Sequence, residues 1–311
     1  MVDDMNSEHS SGEKVSRRRF LRTAGATAAV GAGAVGATNS AAAISKGDGG
    51  LSGPSDFPRY STRDHFDITW YGSVDQNEPW YVYEKWGDFA GYGYDQGNDL
   101  VIHAHGWLND DGGAIDGAYT VDQALSQDGG YNEPVVGYSW DADLGTVPLS
   151  WWASTTIAED NGPKLAYATY QFKQNNPNVN VRYISHSLGA RVVASAIKQL
   201  DDWGFSDYVE SVTFLGAAVD SDAVSLGGGY GYPLQRVVAD QVDNYYIEND
   251  SVLDYAYSLG EADSAVGTTG IEGTPPANYN DHNVSYRVPD HYSHYYLKSN
   301  GGVMDLVAGD F

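Results

Sequence analysis

One stretch constrains this chain more than any other: Asn180-Val181-Arg182-Tyr183-Ile184-Ser185-His186-Ser187-Leu188-Gly189-Ala190-Arg191-Val192-Val193. It opens with alternating β-formers, breaks sharply over His186–Gly189 and continues as an apolar helix through Ala194, Ala196, Ile197 and Leu200. Strand, tight turn and helix with a serine at the apex is the arrangement in which a strained backbone lifts Oγ above a sheet. The usual pattern is G-x-S-x-G, and Ser185 stands where the first glycine would be. That position needs a small residue because strand and helix backbones approach closely, so serine is tolerable. A bare S-x-S-x-G string is weak evidence. Its place between a β-run and an amphipathic helix gives it weight, and the rest of the chain must decide.

Elsewhere, short apolar runs alternate with helical patterns. Leu100–His105, Pro134–Trp140, Val209–Leu215, Tyr245–Glu248 and Val284–Val288 read as strands, with Phe66–Tyr71 and Trp80–Glu84 as a further pair. Helices are expected over residues 114–125, 163–173, 189–200 and 252–259, with a last one starting at Ser293. The implied fold class is α/β, a mostly parallel sheet with helices on both faces. One such domain spans residues 59–311, and the glycine-rich segment around 221–240 is a candidate cap loop near a site mouth.

The first 58 residues read differently. Residues 1–43 have the look of a targeting segment. Ser16-Arg17-Arg18-Arg19-Phe20-Leu21-Arg22 resembles the twin-arginine export motif, a mild apolar run follows to Ala37, and Ala41-Ala42-Ala43 offers a small-residue cleavage site. The resemblance implies a partner, the twin-arginine export machinery, and delivery of the folded protein to the cell exterior or envelope. The apolar run is too short and mild for a stable membrane anchor after processing. Residues 44–58, rich in Gly, Ser, Asp and Pro, read as a flexible spacer.

Charge narrows the partners. Formal net charge is −25, lysine occurs seven times, and cysteine is absent. Removing residues 1–43 leaves 38 acids against 12 bases. Such a surface repels polyanions, which disfavours nucleic acid. Scarce lysine with abundant aspartate fits a halophilic surface. Absent cysteine excludes disulfides, thiolate metal sites and a cysteine nucleophile.

A serine hydroxyl needs a histidine to take its proton and a carboxylate to orient that histidine. In parallel α/β sheets such groups collect at the carboxyl ends of strands. Ser187, Asp250 and His291 each follow a candidate strand, in the order Ser…Asp…His. Asp220 is the rival acid, and His294 and His282 are rival bases. Asp250 also reads as a simple helix cap, and His294 as a packing residue inside a helix. An oxyanion would be held by the backbone N–H of Leu188 and by that of Trp107, with Gly106 permitting close approach.

His105-Gly106-Trp107, His186-Ser187-Leu188-Gly189-Ala190, Asn249-Asp250 and His291 together resemble the α/β-hydrolase superfamily, particularly its lipase and esterase branches. Tyr295, four residues after His291, is similar to the histidine segment of pancreatic-type lipases. Those enzymes carry their acid nearer Asp220, and Ser185 departs from the usual elbow. The resemblance implies a secreted serine hydrolase acting on a small-molecule or lipid ester through an acyl-enzyme, without cofactor or metal. Trp151, Trp152, Tyr230 and Tyr232 are candidates for an apolar mouth.

Two other readings compete. His103-Ala104-His105 is an H-x-H pair with Asp110 and Asp111 nearby, as in metal-dependent hydrolases. However, H-x-H-x-D-H would require an acid at Trp107 and a histidine at Leu108, and neither is present. A non-catalytic envelope protein on the same fold is the third possibility.

Overall fold

The computed structural model describes residues 49–69, 72–261 and 263–311, together with the backbone of Lys14–Val15. The twin-arginine stretch, the apolar run and the Ala41–Ala43 cleavage site lie outside the described residues. Strands are β1 (Lys14–Val15), β2 (Arg59–Ser61), β3 (Phe66–Thr69), β4 (Val74–Gln76), β5 (Glu84–Trp86) and β6 (Asp99–Ala104). They continue as β7 (Val135–Ser139), β8 (Asn180–His186), β9 (Val209–Leu215), β10 (Val238–Tyr246) and β11 (Tyr279–Asn283). Helices are α1 (Asp111–Gly129), α2 (Pro148–Asn175), α3 (Gly189–Asp202), α4 (Gly231–Val237), α5 (Ser251–Ser258), α6 (Val266–Thr269) and α7 (Met304–Gly309).

Eight strands form one sheet in the order β11-β10-β9-β8-β6-β7-β2-β5, parallel except for β5 at its edge; β1, β3 and β4 make a small antiparallel sheet. Both faces of the large sheet are covered, so β6 and β7 are buried at every position. Alternation then splits the core. Leu100, Ile102, Tyr183 and Phe214 pack towards α2 and α3, while Val101, Ile184 and Leu215 pack with α1 and α7.

Chain order places the site. From β6 the chain runs outward to β7, then crosses back past β6 to form β8. This reversal leaves a crevice beyond the carboxyl ends of β6 and β8, the usual location for ligands in such sheets. His105–Leu108 leave β6 there, and Ser187 leaves β8.

Several sequence expectations are corrected. The helix read as residues 163–173 begins at Pro148 and runs 28 residues, taking in Trp151 and Trp152. Proline at its first turn is well tolerated. Pro163 lies inside the helix, next to Gly162, whose missing side chain lets α3 approach: a Cβ there would sit 2.4 Å from that of Ser195. The last strand is β11, ending at Asn283, and Val284–Val288 turn instead of extending. Trp80–Val82 also turn, and β3 pairs with β4. The described part of the expected spacer is packed: Phe57 is fully buried, and Leu51 N–H and Gly53 N–H donate to Thr120 and Asp116 of α1. The segment 221–240 buries Val224, Leu234 and Val237 in the core, and none of its residues lines the cleft at Ser187. Among the described residues, no helix is long and apolar enough to cross a membrane.

Candidate active site

Ser187 sits at the end of β8 with φ of +54°, a left-handed conformation uncommon for a residue with a side chain. Such strain costs on the order of 1–3 kcal/mol and persists only where surroundings enforce it. Here they do. Ser187 N–H donates to Leu215 O of β9 at 3.0 Å, and Ser187 O accepts from Ala218 and Ala190 N–H groups, both at 3.0 Å. Gly189 begins α3 so close to β6 that a Cβ would lie 2.3 Å from Ala104 O and 2.6 Å from His105 O. Gly106 faces the elbow from the other side, where a Cβ would lie 2.7 Å from that of Ser187. Ser185 is fully buried, its Oγ 3.4 Å from Thr213 O, so serine fits without displacing the turn.

The acid and base come from the β10 side. Asn249, with φ of +62°, turns the chain out of β10 so that Asp250 caps α5, one carboxylate oxygen accepting from Val252 and Leu253 N–H at 3.0 and 3.1 Å. The other oxygen lies 2.7 Å from His291 Nδ1, with both side chains buried. Burial pushes the Asp250 pKa up, but the charge and hydrogen bond of His291 and the Leu253 N–H outweigh it and hold the carboxyl below its ordinary value.

His291 lies in a loop, not at a strand end, and its position is fixed through its carbonyl. That oxygen accepts from His186 Nε2 at 2.8 Å and from His294 Nδ1 at 3.0 Å. Both donors are buried. Burial first, then the neighbouring His291, drives the His186 pKa well below the usual value and takes that of His294 down to about 4. Two neutral imidazoles therefore brace the backbone of a third.

Ser187 and His291 line one cleft with Trp107, Trp151, Leu253 and Tyr292. Among the described residues, no hydrogen bond joins Ser187 Oγ to His291. The N–H groups of Trp107 and Leu188 donate to no protein acceptor among the described residues, and both belong to loops converging on Ser187. The free volume in the cleft is about 10 Å³, roughly one water molecule. Trp107 meets Trp151 edge-on at 5.0 Å, and Trp151 Nε1 is held by Glu261 at 3.1 Å.

The rival residues are engaged elsewhere. Asp220 pairs with Arg191 at 3.1 Å. His294 faces the His291 carbonyl, and His282 lies on β11 bonded to Asp243 at 2.8 Å. His103 and His105 do not form a shared ligand set. His105 Nδ1 donates to Gly106 O at 2.9 Å, and its Nε2 accepts from Trp140 N–H at 3.1 Å. His103 is buried, with its pKa taken down to about 3 by burial. Asp110 caps α1, and Asp111 pairs with Arg59. Of the aromatic mouth candidates, Trp151 lines the cleft; Trp152 and Tyr232 are exposed, and Tyr230 contacts Ser195. Val252, Leu253 and Ala256 of α5, which face Ser187 across the cleft, were not singled out in the sequence. Their signal was the apolar spacing directly after Asp250. His186 was visible as part of the elbow, but its bracing role was not.

The strand order and the crevice at the chain reversal define an α/β-hydrolase fold. The chain belongs to the family described as "Protein of unknown function (DUF726)", whose model matches residues 145–307, just over half its length. No curated protein matches it in sequence. Among solved structures it is similar to a Trichoderma reesei cutinase, with 16% identity over 53% of this chain and 73% of that one, at a TM-score of 0.33. It is also similar to a lipase-esterase related protein from Clostridium acetobutylicum (7% identity, 70% and 96% of the two chains, TM-score 0.36). A cold-adapted esterase from an Arctic intertidal metagenomic library matches at 12% identity over 76% and 85%, with a TM-score of 0.33.

Proposed function

We propose that this protein is a serine hydrolase cleaving carboxylic esters. One observation carries the reading: a buried imidazole–carboxylate pair at 2.7 Å opens into the same cleft as a serine in a strained elbow. In this mechanism His291 Nε2 takes the Ser187 proton as Oγ attacks the ester carbonyl, and Asp250 stabilises the resulting imidazolium. The N–H groups of Trp107 and Leu188 hold the oxyanion. His291 returns the proton to the leaving alkoxide, and water then releases the acyl group by the same steps. The apolar cleft walls favour an ester with an apolar acyl part. Because the cleft holds about one water, Trp107, Trp151 or α5 must move to admit substrate.

The twin-arginine segment and acidic surface support secretion from a salt-adapted cell. A panel of p-nitrophenyl esters of increasing chain length, assayed in high salt, tests the whole reading. Hydrolysis should fall at least about 10⁴-fold in Ser187→Ala with the melting temperature retained. Near-wild-type turnover by that variant would end the reading, and full wild-type activity at roughly 0.1 M salt would end the salt-adapted part of it. The narrow cleft also favours a second reading, a non-catalytic protein on this fold, for which the panel would give no turnover at any chain length.

A further inference from the structure

At the end of the sheet opposite Ser187, α2 and α3 finish beside the turn between β4 and β5. There Trp80, Tyr167, Tyr170, Trp203 and Phe205 line an open pocket of about 230 Å³. Each ring touches the next. Trp203 lies 5.5 Å from Trp80, Trp80 5.5 Å from Tyr167, Tyr167 6.2 Å from Tyr170, and Tyr170 6.0 Å from Phe205. The planes turn by 51°, 83°, 27° and 42° along that path, so the rings do not form a flat stacking platform. Trp80 is 44% exposed and Trp203 36%, so the pocket is open to solvent.

The walls are held before anything binds. The Lys164 ammonium is buried under the turn and donates to the carbonyls of Glu78 and Pro79 at 3.0 and 2.7 Å, fixing the backbone that carries Trp80. Opposite, Trp203 N–H bonds Gln199 O and Phe205 N–H bonds Leu200 O, closing the end of α3.

The lining chemistry selects the occupant. Its side chains offer π faces, phenol hydroxyls and indole N–H groups, and include no carboxylate or amide. A sugar would find few partners for its hydroxyls, and a primary ammonium would lose its hydrogen bonds to water without replacing them. A quaternary ammonium has no N–H to satisfy, fills the space with methyl groups, and is attracted to ring faces. The chain itself, with 42 acids against 17 bases, raises the local concentration of cations. We propose that this aromatic box binds a small quaternary ammonium ion of the choline or betaine-ester type, independently of the chemistry at Ser187.

Ligand-observed NMR on the full chain at fixed ionic strength tests the proposal. Choline should bind saturably, and its neutral isostere 3,3-dimethyl-1-butanol at least about tenfold more weakly. Trp80→Ala and, separately, Phe205→Leu should each weaken choline binding about tenfold while the melting temperature holds; the second variant guards against a folding defect in the first. Equal binding of the isostere, saturation by methyl glucoside in place of choline, no saturable response to choline, or unchanged affinity in both variants would each overturn it.

Discussion

The two halves of the candidate site are held by different means. On the β6–β8–β9 side, Ser187 is fixed by backbone: strand register, a left-handed turn, and Gly106 and Gly189 where any side chain would collide. On the β10 side, Asp250 and His291 are fixed by side chains. A helix cap holds the acid, and imidazoles from His186 and His294 meet at one carbonyl to hold the base. Backbone geometry tolerates almost no substitution. A side-chain network should lose function in steps and respond to protons.

The largest effect should come from the backbone half. Gly189→Ala places a Cβ against the carbonyls of Ala104 and His105, which cannot rotate away, so it should cost about 3 kcal/mol in denaturant unfolding. A loss below about 1 kcal/mol would mean that the close approach is not a constraint. In the side-chain half, His294→Phe leaves the His291 carbonyl with His186 as its remaining imidazole donor. Turnover should fall about ten- to a hundredfold with a smaller change in KM. Unchanged turnover would show that the loop holds itself.

The smallest expected effect is a pH dependence of stability. His103, His186 and His294 are buried with depressed pKa values, so the folded state resists protonation that the unfolded chain accepts. Their contribution is complete above about pH 6.5 and is lost as pH falls below it, down to about 4 for His294 and about 3 for His103. The melting temperature should therefore drop between pH 7 and 5, above the range where most carboxylates titrate, and His294→Phe should flatten that slope. A melting temperature constant from pH 7 to 5 would remove the argument.

The same division explains what could be read from the sequence. The elbow was legible because strand, turn and helix are contiguous, and each is set by local propensity. The fold class followed from the alternation of apolar runs with helical patterns. Asp250 was legible as a strand exit and helix cap, which it is. His291 was picked out for an inexact reason: Val284–Val288 looked like a strand preceding it, but pairing with β10 is taken by Tyr279–Asn283. Nothing local specifies a loop held by two histidines, one of them 105 residues away. Trp151 falls outside the helix legible in the sequence because two tryptophans near a proline carry little helical pattern. Its place in α2 is decided by burial against Trp107 and by Glu261, both remote in sequence.

We propose that Ser187 is a nucleophile activated by the His291–Asp250 pair. Intact-mass and peptide spectrometry after exposure to a serine-directed phosphonate measures it directly. One adduct per chain is predicted, located on Ser187, absent from Ser187→Ala, and formed at least about a hundredfold more slowly in His291→Ala. An adduct elsewhere, or labelling of Ser187 at the same rate without His291, would contradict it.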